Sequence, residues 1–176
     1  SEDRIAAVAE DIVQHFRRES SLSGCQAVVI PYDEEAAIRY YLALAKRMPG
    51  QVGLLIKAPR KYKALLKGFP SEETEPHEAM RRFTVENENK LALLIVGRDN
   101  IRDIVRPPLQ TVYLDKPVLG YDFLQVTNLS VLAAHELTGF GLLADYWGVA
   151  SDISFALDGF DANDVNKFLL PRFSEH

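Results

Sequence analysis

Two kinds of hydrophobic spacing alternate along this chain. Over residues 3–18, Ile5, Val8, Ala9, Ile12, Val13 and Phe16 recur every three or four positions between charged and polar residues, which predicts an amphipathic helix. Gln26 to Pro31 (QAVVIP) is instead a short unbroken apolar run, the pattern of a strand covered on both faces. Asp33 is placed to cap a second helix that turns Ala36, Ala37, Tyr40, Tyr41 and Leu44 inward, and Pro49-Gly50 ends it. Val52 to Ile56 (VGLLI) predicts another strand, weakened by Gly53. A short helix over 75–83, with Ala79, Met80 and Phe83 inward, leads to Leu91–Val96 (LALLIV), the most strongly apolar strand of the chain. Pro107-Pro108 excludes regular pairing at its own position, after which Thr111–Asp115 (TVYLD) predicts a strand that Lys116-Pro117 stops. Helical spacing follows over 118–132, then a last strand over 139–146 and helices near 149–157 and 161–170. Tyr40, Tyr41 and Phe123 are expected in the core.

Strands and helices alternating at this spacing predict an α/β fold: one domain over residues 1–176, three layers, a parallel sheet with helices on both faces and right-handed crossovers. Such sheets bind ligands at the carboxyl ends of their strands. Functional residues are therefore expected in the loop 97–108, which holds Arg98, Asp99, Arg102, Asp103 and Arg106, and in the Asp115-Lys116-Pro117 turn.

Composition adds mostly exclusions. There is no apolar run near the ~18 residues a membrane span needs and no signal-like start, so a cytoplasmic protein without a membrane partner is expected. Cys25 is the single cysteine, which excludes an intrachain disulfide or a thiolate metal cluster. A net charge of -5 means that nucleic-acid contact would have to come from a local basic patch. Residues 57–67 supply one candidate: Lys57, Arg60, Lys61, Lys63 and Lys67 occur there without an acid, just before Glu72, Glu73, Glu75 and Glu78. Those cations either contact phosphates or are solvated and paired with the glutamates. Lys57, Arg60 and Lys61, with Arg98, Arg102 and Arg106, are the nucleic-acid candidates, although the three arginines could also pair with Asp99 and Asp103.

No catalytic, cofactor-binding or metal-ligating residue is assigned. The best approach to a phosphate loop, Ala64-Leu65-Leu66-Lys67-Gly68, has one glycine and cannot form a nest of backbone N–H groups. Pro31-Tyr32-Asp33 stands where a dinucleotide fingerprint would follow the first strand. His15, His77, His135 and His176 are scattered, with surface or capping positions expected, and no serine sits in a nucleophile elbow.

Gln110-Thr111-Val112-Tyr113-Leu114-Asp115-Lys116-Pro117, followed by Leu124-Gln125, resembles the stretch joining motifs V and VI in the motor (R) subunit of type I restriction enzymes, which are superfamily 2 DNA translocases. The helix-strand-helix from Ile5 to Leu44, Met80-Arg81-Arg82-Phe83, and Gly141 to Ala150 (GLLADYWGVA) are similar to segments of that family as well. The resemblance implies the C-terminal RecA-like lobe of a two-lobed motor, the lobe without the phosphate loop. It further implies ATP and magnesium for a longer parent but not for this chain, with the first RecA-like lobe, other restriction-modification subunits and duplex DNA as partners. Two departures stand out. Arg102 to Pro107 (RDIVRP) replaces the family's T-G-F-D-x-P, and Gln125 to Leu132 (QVTNLSVL) has leucines where motif VI has arginines. Because an arginine finger is worth roughly 10³ to 10⁵ in rate, the isolated chain is expected not to be an enzyme. Two alternatives stay open: a non-catalytic descendant kept for DNA-backbone or protein binding, and an unrelated doubly wound domain that takes a small molecule at loop 97–108.

Overall fold

Five parallel strands in the order β2-β3-β1-β4-β5 form the centre of the computed structural model. It describes residues 1–20, 26–57, 59–85, 89–97, 100–101, 104, 109–118, 120, 122–123, 125–126 and 142–148. The strands are β1 (Gln26–Pro31), β2 (Val52–Leu55), β3 (Leu93–Val96), β4 (Leu109–Asp115) and β5 (Leu142–Asp145). Around them lie α1 (Glu2–His15), α2 (Glu34–Arg47), the single turn α3 (Ser71–Thr74) and α4 (Pro76–Thr84).

Alternating side chains on the pleated strands divide the core in two. Ala27, Val29, Leu54, Leu93, Ile95 and Tyr113 face α1 and α2, where Ile12, Val13, Tyr40, Tyr41 and Leu44 meet them. Val28, Ile30, Leu94, Val96, Val112 and Leu114 face the other way, against Ala79 and Phe83 of α4 and against Val118, Phe123 and Val126. The result is the expected three-layer RecA-like sandwich, with Tyr40, Tyr41 and Phe123 in its core.

The caps follow the sequence. Asp33 accepts the Ala36 N–H at 2.7 Å and so starts α2, and acidic first turns on α1 and α2 oppose their helix dipoles. Several boundaries differ from expectation. The first helix passes at Phe16 into a wider π-type turn through Ser20. β3 begins at Leu93 rather than Leu91, because Ala92 N and Leu93 N both donate to Gln51 O, which bends the chain before the ladder starts. β4 starts at Leu109, directly after Pro108, with a register irregularity opposite Gln26 and Ala27. β5 ends at Asp145, one residue before the predicted end at 146, and is only partly buried, while 139–141 lie outside the described residues. Gly53 sits in β2 because a Cβ there would lie 2.5 Å from Leu91 Cδ1. Cys25 and the helices predicted near 149–157 and 161–170 lie outside the described residues, as do Leu129 and Leu132.

The chain leaves β1 into α2 on one face of the sheet, and after β4 Val118, Phe123 and Val126 pack on the other. β1 and β4 are neighbours, with Pro31 opposite Asp115. Connections therefore diverge between these two strand ends, and the crevice that divergence opens is the usual ligand position of an open α/β sheet.

Candidate functional site

Asp115 ends β4 at the mouth of this crevice and is 3% exposed. Its carboxylate accepts a bidentate pair from Arg4, Nη1 to Oδ2 at 2.7 Å and Nη2 to Oδ1 at 2.5 Å. The Tyr40 hydroxyl donates a further bond at 2.6 Å, and Arg4 Nη2 also donates to Tyr146 O at 3.0 Å. Hydrogen bonding to Asp115 raises the Arg4 pKa, while burial, and then the bond to Asp115, pushes the Tyr40 phenol far above its ordinary range. The crevice is thus plugged by the protein's own side chains. Asp115, expected as a functional residue, is buried with its carboxylate bonded to Arg4 and Tyr40, and Lys116 beside it is likewise buried. The N-terminus of α2 beside the crevice is capped by Asp33 and followed by Glu34 and Glu35, an acidic helix start.

Next to this plug stands an exposed aromatic pair. Tyr32, following β1, and Trp147, following β5, are 54% and 46% exposed and stack with centroids 5.5 Å apart and planes at 19°. Asp145 Oδ1 fixes the turn that carries Trp147 by accepting the N–H groups of Trp147 at 3.0 Å and Gly148 at 2.9 Å. The Arg4 guanidinium lies over the indole, 5.8 Å from its centroid. Sequence reasoning missed this pair. The residues are 115 positions apart, and the one available sign was that each follows a strand directly.

The basic segment lies at the opposite end of the sheet, past the edge strand β2. Lys57 is exposed just beyond that strand, Arg60 and Lys61 are exposed on a short helical turn, and the Lys61 ammonium sits 5.1 Å over the Tyr62 ring. Arg60, Lys63 and Lys67 line a cleft of about 790 Å³ whose walls include Leu66, Phe69, Ser71 and Glu75. Glu75 shares the cleft with these cations, whereas two of the neighbouring glutamates turn elsewhere. Glu73 is buried, accepting the Tyr41 hydroxyl at 2.8 Å and approaching Arg82 at 3.7 Å, and Glu78 pairs with Arg81 at 2.8 Å. Among the described residues, no ion pair joins Arg60, Lys63 or Lys67 to an acid. Arg98, Arg102 and Arg106 lie outside the described residues, but Gly97, where their loop starts, donates to Leu55 O at 2.8 Å and so leaves the sheet beside the basic segment.

His15 is half-buried, its Nδ1 hydrogen-bonded to the Tyr113 hydroxyl at 2.8 Å, whereas His77 is 90% exposed. Among the described residues no three His, Cys, Asp or Glu side chains converge as metal ligands, and no helix is long and apolar enough to cross a membrane.

No family model matches the chain. It is 23% identical over 171 residues, 97% of its length, to a protein of Methanocaldococcus jannaschii assigned as the type I restriction enzyme MjaIXP endonuclease subunit. It is 23% identical over 178 residues, covering 95% of its length, to the type I restriction enzyme HindI endonuclease subunit of Haemophilus influenzae. It spans only 16% and 17% of those two relatives. Among solved structures, a fragment assigned as an HsdR subunit of a type I restriction enzyme from Vibrio vulnificus matches 92% of this chain with a TM-score of 0.63 at 18% identity, the chain covering 30% of it, which shows the shared fold. Similarity to type I restriction endonuclease subunits bears out the resemblance carried by the Thr111 to Pro117 string.

Proposed function

We propose that this chain works as the second RecA-like lobe of a type I restriction R-subunit-like translocase, holding duplex DNA by its backbone and leaving nucleotide chemistry to another lobe. The observation that carries this reading is the cleft beside β2, where Arg60, Lys63 and Lys67 have no acidic partner among the described residues. Screening confines each charge to about 10 Å at 0.1 M salt, so such a cluster attracts phosphate despite the net charge of -5. Aligned relatives with endonuclease in their names, and a shared fold with an HsdR fragment, supply the restriction context. The capped and acidic start of α2 supports the absence of a phosphate site in this lobe, so ATP and magnesium belong to the parent motor, in the cytoplasm, with the first lobe as partner. The motif replacements at 102–107 and 125–132 support a lobe that does not hydrolyse ATP by itself. Similarity over 97% of the chain disfavours the reading as an unrelated small-molecule domain.

Duplex binding measured across a salt series tests the proposal. Affinity is expected on the order of 10⁻⁴ to 10⁻⁶ M, typical of sequence-independent contacts, and falling with salt. Replacing Arg60, Lys63 and Lys67 together by alanine should reduce the slope of log affinity against log salt by up to about three units, roughly one per lost phosphate contact. An unchanged slope in the triple variant would leave the chain with the alternative role of a protein-binding module.

A further inference from the structure

The surface around Tyr32 and Trp147 differs in sign from the basic cleft. α1 begins with the exposed Glu2 and Asp3, and α2 is entered through Asp33, Glu34 and Glu35. Arg39 holds these two helix starts together, bonding Glu2 at 2.6 Å and Glu35 at 2.6 Å. Arg4 extends from the first of them to Trp147, and Tyr32 immediately precedes Asp33, which sets an acidic rim beside the aromatic pair. Two of them, Asp3 and Glu34, have no ion-pair or hydrogen-bond partner among the described residues. Such a rim repels phosphate and attracts cations. The indole already accepts one guanidinium, that of Arg4, which is spent on Asp115.

From this geometry we propose that the Tyr32–Trp147 pair is a docking site for an arginine side chain of a basic partner segment, stacked on the rings and steered by the acidic starts of α1 and α2. Arginine suits the site better than lysine because its flat, weakly hydrated guanidinium stacks on aromatic faces while its N–H groups reach carboxylates at the edge. A nucleobase could also stack, but the phosphate attached to it would have to enter the acidic rim. The aromatic pair is carried by two turns pinned independently, by Asp33 and by Asp145, so little ordering is left to be done on binding. This site lies away from the cleft beside β2, and its failure would leave the DNA proposal untouched.

Trp147 is the single tryptophan of the chain, so its fluorescence reads the site directly. A short oligo-arginine peptide is titrated against the protein at low salt, with oligo-lysine, oligo-glutamate, ATP and a single-stranded oligonucleotide as parallel arms. Oligo-arginine should change the emission saturably and more strongly than oligo-lysine, while the three anionic probes should not. Tyr32→Ala should weaken the oligo-arginine response about 2- to 5-fold, the value of one exposed cation–π contact, and Tyr32→Phe should retain it. The Asp3→Asn, Glu34→Gln double variant should weaken binding several-fold at low salt and flatten its salt dependence, whereas Glu72→Gln, far along the chain, should do neither. Absence of a saturable response, an equal response in Tyr32→Ala, or a stronger response to ATP or the oligonucleotide would overturn the proposal.

Discussion

Removing Arg4 should damage this protein more than removing the charge it neutralises. The Asp115 side chain is 5% exposed and Arg4 41% exposed, so the two partners are left in different surroundings when the pair is broken. In Arg4→Ala the carboxylate stays under the sheet edge with only the Tyr40 hydroxyl bonded to it, a buried charge without compensation, for which the typical cost is about 3–5 kcal/mol. Partial access of water through the vacated Arg4 position places the expectation at the lower end, about 3 kcal/mol. In Asp115→Asn the guanidinium turns to solvent and the amide oxygen still accepts from Tyr40, so roughly 1.5 kcal/mol is lost, the value of bonds to a charged group less what Arg4 regains in water. Once Asp115 is neutral, removing Arg4 should cost below about 1 kcal/mol, so the double-mutant cycle should show a coupling of about 2 kcal/mol. Urea unfolding followed by far-UV circular dichroism measures all four proteins; Trp147 fluorescence is unsuitable because Arg4 touches the indole. Additive losses, or Asp115→Asn costing more than Arg4→Ala, would refute the reasoning.

Two further outcomes follow from the packing. The phenols of Tyr40, Tyr41 and Tyr146 are all pushed above their ordinary value of 10.0, by burial first and by bonds to Asp115, Glu73 and Asp11 second. The folded state thus holds these protons more tightly than the unfolded chain, and the stability they represent is present below pH 10 and lost as pH rises above it, by up to about 1.4 kcal/mol per pH unit for each of the fully buried Tyr40 and Tyr41. Urea midpoints about one unit either side of pH 10 should therefore differ sharply, and part of the tyrosinate absorbance should appear only with unfolding; a flat profile would contradict the burial argument. Gly53→Ala should lose about 1–3 kcal/mol, because its Cβ would press on the buried Leu91. Leu91→Val in the same chain should recover part of that loss, and no recovery would assign the cost to the backbone instead.

Local patterns were legible without a structure. QAVVIP is a strand because nothing but burial on both faces tolerates such a run, and Asp33 caps α2 because a short carboxylate at that position reaches the Ala36 N–H. What was hidden depends on residues far apart. Arg4 and Asp115 are 111 positions apart, and neither periodicity nor charge pattern relates them. Asp115 could thus be recognised as lying at a functional strand end but not as already satisfied. The glutamates after the basic segment show the same limit. Their proximity in sequence suggested pairing with the lysines, yet helical turns carry Glu73 inward to Tyr41 and Glu78 along α4 to Arg81. Trp147 and Tyr32 meet only because β5 and β1 flank β4.

The bond between Arg4 and Asp115 also has a consequence for how this protein is made. Translation delivers the partner of α1 late: at roughly 5–20 residues per second, the 111 positions between them take on the order of 5 to 20 seconds. During that interval Ala9, Ile12, Val13 and Phe16 can meet α2 and the strands β1 to β3 as these emerge, but not Tyr113 of β4. β1 meets the same delay, because β3 and β4, the strands on either side of it, are also synthesised later. The sheet therefore stays incomplete until β4 is made, and a slow stretch of codons placed before residue 109 would lengthen that interval without altering the finished molecule.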